Sequence, residues 1–183
     1  MAGSDADERL AGERARRKVD PSAGDLDRIE RRLERMPLAR DALMLAMGQF
    51  GKDFDGAKWR NAYEALSAQE RNRVVQVTGN LTALIDNAVE LVRLAATLTG
   101  LRPAGRRPSA NADIEALRAD GALTGKQAYE LVQLKELCDE MRHAYIYVEA
   151  DDVHAAVDST LKLLPGFIAS YVGWLAEYGV DVG

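Results

Sequence analysis

Ser67-Ala68-Gln69-Glu70-Arg71-Asn72-Arg73-Val74-Val75-Gln76-Val77 opens the most strongly patterned part of the chain. Ser67 and Glu70 fit an S-x-x-E capping box: the serine side chain accepts a hydrogen bond from the amide three residues on, while the glutamate reaches back to the serine amide. Behind this start signal, Val74, Val77, Leu81, Leu84, Ile85, Ala88, Leu91, Val92, Ala95 and Leu98 recur every three or four residues. That spacing keeps one face of a helix apolar. It predicts a helix from the cap to about Thr99, the longest in the chain.

Upstream, from Asp25, the run Leu26, Ile29, Leu33 and Met36 and the run Leu38, Ala42 and Leu45 each keep helical spacing, and Pro37 between them predicts a kink. Gly51 and Asp53-Phe54-Asp55-Gly56 end this helix, and a short segment from Trp59 to Leu66 leads to the cap. Downstream, Gly100 to Pro108 holds two glycines and two prolines and is expected to be a basic loop. A short helix over Asp113 to Ala119 stops at Asp120-Gly121. Thr124-Gly125-Lys126-Gln127 is a second capping box ahead of a helix from Ala128 to Tyr147. Asp151 and Asp152 open the last helix, in which Pro165-Gly166 predicts a kink near Leu161 to Pro165 before the helix resumes through Trp174. With no strand alternation and no repeat, the expected fold is all-α: an up-down bundle of four long helices plus short helical pieces. Residues 1–21, acidic, basic and poor in apolar side chains, read as a flexible lead-in, and 22–180 as one helical domain.

The 183 residues, nearly half hydrophobic, suffice for one core but not for two full domains. A single cysteine excludes an internal disulfide framework and a cysteine-rich zinc site. The apolar run from Ala88 to Leu98 is broken by Glu90 and Arg93 and is too short to span a bilayer. The acidic N-terminal residues lack the order of an export signal, so the expected location is the cytoplasm, with no membrane partner. A net charge of −5 argues against a surface built throughout to grip nucleic acid, while leaving room for a local basic site.

Chemistry is expected in Cys138-Asp139-Glu140-Met141-Arg142-His143-Ala144-Tyr145, which holds the only cysteine and one of two histidines. On a helix His143 lies one turn after Asp139, about 40° around the axis, so the carboxylate can orient the imidazole or hold its proton. Read from spacing alone, His143 is equally a polar residue at a helix end, and Cys138 a small buried residue. His154, beside Asp151 and Asp158 without a second ligand at metal spacing, reads as a solvated position.

The stretch Glu136 to Tyr145 resembles the signature of HEPN-domain proteins of the HepT-like branch, the toxin half of type VII MNT-HEPN toxin-antitoxin pairs. That signature is an arginine, usually a polar residue after it, then histidine, any residue and tyrosine. Asp139, His143 and Tyr145 match it, whereas Cys138 stands at the arginine. The helix order from about Asp25 to Tyr178 is similar as well. The resemblance implies a HEPN-like bundle acting as a metal-independent ribonuclease, without cofactor, with a composite RNA-cleaving site at a homodimer interface. It also implies a cognate minimal nucleotidyltransferase as antitoxin, which transfers AMP to the motif tyrosine, here Tyr145, with Tyr147 as a nearby competitor. Arg142, Arg102, Arg106 and Arg107 are candidates for contact with the RNA. Arginine stabilises a charged phosphate and cysteine does not, so this chain is expected to be inactive or weakly active, through divergence or a change that silences a toxic protein. The rival expectation is a non-catalytic helical module that binds a nucleotidyltransferase or a nucleotide.

Overall fold

A computed structural model describes residues 18–50, 67–102, 109–144 and 150–182, with residues 49, 50, 143, 144 and 150 described by their backbone alone. Among the described residues are five helices and no strand: α1 (Ala23–Phe50), α2 (Ala68–Leu98), α3 (Ala110–Ala119), α4 (Gly125–Ala144) and α5 (Ala150–Glu177). The fold is an all-α bundle. Helix α2 is its axis, because it packs against each of the other four.

The reason lies in its side chains. Between Leu81 and Ala96, α2 buries Leu84, Ile85, Asn87, Ala88, Val89, Leu91, Val92, Leu94 and Ala95, far more than one stripe. Toward solvent, beyond Thr82 and Ala83, runs a narrow polar line, Asp86, Glu90, Arg93 and Thr97, at spacings of four, three and four. Both expected capping boxes form. Glu70 N donates to Ser67 Oγ at 3.2 Å and Ser67 N to Glu70 Oε2 at 2.8 Å. Gln127 N donates to Thr124 Oγ1 at 3.1 Å and Thr124 N to Gln127 Oε1 at 2.8 Å.

Helix α1 departs from expectation after Pro37, in which of its apolar residues are buried. The helix is continuous through the proline, so the buried face keeps its phase: Ile29 and Met36 are followed by Leu43 and Ala46, with Ala39 and Met47 partly buried. Leu38 and Leu45 fall outside this face and are 70% and 67% exposed. A proline on the solvent side leaves its missing donor to a carbonyl that water can reach, so it need not break the helix. Pro165, also exposed, is likewise inside an unbroken α5, which extends past Trp174 to Glu177.

Helix α3 starts three residues earlier than expected because Ser109 caps it, accepting from Ala112 N at 3.1 Å. Its end is set at Gly121, whose φ of 82° favours glycine. The following Ala122 amide closes back on the Leu117 carbonyl at 2.9 Å. Helices α4 and α5 approach closely at Gly166, where an added Cβ would meet Gln127 Nε2 at 3.5 Å.

The last turn of α5 ties down both ends of the described chain. Trp174 Nε1 and Tyr178 OH both donate to Asp120 Oδ2, at 2.9 and 2.8 Å. Val19 N donates to Tyr178 O at 3.1 Å, and Val19 packs on the core, as does Val182 at the other end. Packed structure therefore reaches three residues below and two above the expected 22–180 limits. Residues 1–17, the Trp59 to Leu66 segment and most of the basic loop lie outside the described residues. Among the described residues, no helix is long and apolar enough to cross a membrane.

Candidate functional site

Ala128, Leu131, Leu134, Cys138 and Met141 form the buried stripe of α4. Their spacing of three and four explains why the cysteine points inward rather than toward a ligand. Cys138 is 1% exposed. Burial pushes its thiol up to about 11; the Thr82 hydroxyl favours the thiolate, and the charge of Asp86 adds to the upward shift. At neutral pH it is a protonated, apolar-behaving group beside two polar residues of α2. The plain reading of Cys138 as a small buried residue is the one the structure bears out.

Around it, on the surface, four charges link α4 to α2. Arg142 Nη1 donates to Asp139 Oδ1 at 2.8 Å, and its Nη2 donates to Asp86 Oδ2. Lys135 Nζ donates to the other Asp139 oxygen. Two carboxylates hold the Arg142 guanidinium, which raises its pKa further above the ordinary arginine value, the Asp86 hydrogen bond contributing most. The cation at the motif is thus placed one turn after the cysteine, on the rim of the helix contact rather than within it.

Of the residues singled out from sequence, the structure brings together Cys138, Asp139 and Arg142. His143 has its backbone in the last turn of α4, and its side chain lies outside the described residues, as do Tyr145 and Tyr147. Arg106 and Arg107 lie outside them too. Arg102 is not a free loop cation: its Nε and Nη2 donate to the two oxygens of Asp113 at 3.2 and 3.0 Å, and that carboxylate is fully buried. His154 is exposed, as expected.

Asp86, Thr82, Lys135 and Asp113 were not singled out. Asp86 left a readable trace, since with Asn87 it interrupts an otherwise apolar run from Leu84 to Val89. Asp113 left none, because an acid in the first turn of a helix is ordinary on dipole grounds alone. Among the described residues, no group of three or more histidine, cysteine, aspartate or glutamate side chains could hold a metal ion.

No family model, curated protein or solved structure matches the chain.

Proposed function

We propose that this chain is a HepT-like HEPN toxin of an MNT-HEPN pair: a metal-independent endoribonuclease whose site is completed across a homodimer, with activity curtailed by Cys138. The observation that carries the reading is the motif Cys138-Asp139-x-x-x-His143-x-Tyr145, of which residues 138–143 lie at the end of α4 in an all-α bundle. The protein's cognate partner would be a minimal nucleotidyltransferase that silences it by AMP transfer to Tyr145.

The chemistry follows from RNA itself. Cleavage by the 2′-hydroxyl needs a base to take its proton, an acid to protonate the departing 5′-oxygen, and positive charge at the phosphate. One chain brings one histidine at the motif, so two copies supply base and acid. Arg142 is the cation beside His143 in the chain, but it is already shared between Asp86 and Asp139. Cys138, protonated and buried, supplies no charge.

The test is RNA cleavage by the full chain and by Cys138→Arg, each alone and combined with His143→Ala. Cys138→Arg is expected to raise cleavage and slow host growth, and His143→Ala to abolish both gains. A Cys138→Arg variant that is folded and dimeric yet as inert as the parent overturns the ribonuclease reading. The burial of Cys138 favours the second reading, a non-catalytic module that binds a nucleotidyltransferase or nucleotide, and this outcome would leave it standing.

A further inference from the structure

A cleft of about 480 Å³ lies where the start of α1 meets the end of α2. Its lining carries three guanidiniums, Arg28, Arg93 and Arg102, and an apolar side, Leu98 and the edge of Leu94 over the buried Ile29. Arg102 is oriented from behind by the buried Asp113, which takes its Nε and one Nη2 hydrogen. The rest of its planar fork remains for a ligand. Arg28 and Arg93 share a single carboxylate at long range, Glu90, at 3.4 and 3.9 Å. Those are loose pairs between half-exposed groups, and an anion carrying two charges can form shorter ones. The second acid at the cleft, Asp25, accepts a hydrogen bond from Ser22 at 2.7 Å.

We propose that this cleft binds a small organic phosphate monoester, its dianionic phosphate held by Arg28, Arg93 and Arg102 in place of Glu90 and its carbon body seated on Leu98 and the edge of Leu94. The volume suits a small molecule. The apolar side is what separates this ligand from a nucleic-acid backbone, which would use the arginines and leave that side bare. Glu90 then acts as an internal competitor that keeps the two arginines folded inward until phosphate arrives. The site shares Arg102 with the residues expected to contact RNA, but Cys138, Asp139 and His143 take no part in it, so its test does not depend on the ribonuclease reading.

Titration calorimetry on the full chain with phenyl phosphate, inorganic phosphate and phenol tests it. Phenyl phosphate is expected to bind at least roughly tenfold more tightly than either half alone. Arg93→Gln, at an exposed position that does not disturb Asp113, should weaken it by roughly tenfold. Glu90→Gln should act in the opposite direction and tighten binding several-fold, while the preference for phenyl phosphate over inorganic phosphate is what separates a built site from general attraction of anions to arginines. Arg102→Gln is avoided because it strands a buried carboxylate. Absence of phenyl phosphate binding at millimolar concentration overturns the site. So does equal binding of phenyl and inorganic phosphate, or affinity unchanged in folded Arg93→Gln.

Discussion

At Cys138 a thiol sits on the buried stripe of α4, where loss of water stabilises its protonated form. Its pKa, about 11 against an ordinary 9.0, means that the folded chain keeps a proton which the unfolded chain releases. The stabilisation is therefore complete below about pH 9 and is lost as pH rises toward 11, amounting to roughly 2–3 kcal/mol. Urea melts of the parent and of Cys138→Ala, at pH 8 and pH 10.5, should show the parent losing more stability over this interval. Tyr171, raised in the same direction by burial, is present in both and cancels. A second residue-scale prediction concerns Thr160, fully buried with no hydrogen-bond partner for its hydroxyl among the described residues. Thr160→Val keeps the shape and removes an unmet polar group, so it should raise stability by about 1 kcal/mol in the same melts.

Among the elements, the start of α2 was legible because a capping box is local: four residues contain both donors and both acceptors. The phase of α1 beyond Pro37 was not legible. Two continuations fitted the apolar residues, one through Leu38 and Leu45 and one through Leu43 and Ala46, and only the bundle decides which faces α2. The proline chose neither, since on the solvent side it costs little. This gives a sharp contrast in one helix. Leu43→Ala should cost about 2–5 kcal/mol by opening a cavity, whereas Leu45→Ala, two residues on, should change stability by less than about 0.5 kcal/mol. Equal losses in thermal melts would mean that α1 is out of phase with this description. The candidate site divides in the same way. Its residue types on α4 could be read from one short stretch, while Asp86 and Thr82 come from a helix more than fifty positions away, where no local pattern marks them as neighbours of Cys138.

For the molecule as a whole, a central helix buried on most sides leaves one polar line, and both candidate sites lie on it. Asp86 faces the α4 cluster, and Glu90, Arg93 and Thr97 face the arginine cleft. Charge on this line is too exposed to hold the bundle together. Exposed ion pairs contribute about 0–1 kcal/mol, because water screens them and long side chains lose freedom in forming them. The Asp86 and Arg142 side chains are 51% and 39% exposed. A double-mutant cycle of Asp86→Ala and Arg142→Ala should thus give a coupling below about 1 kcal/mol, with Arg142→Ala leaving the melting temperature close to that of the parent. Activity is where the two readings of the motif part. If the chain cleaves RNA, Arg142→Ala removes the cation beside His143 in the chain and should lower residual cleavage, or the cleavage gained in Cys138→Arg, at unchanged stability. Asp86→Ala releases the Arg142 guanidinium from one of its two carboxylates and should raise cleavage instead. If both variants leave cleavage by Cys138→Arg untouched, the cluster serves only to align α2 with α4, and the positive charge required at the phosphate has to come from elsewhere.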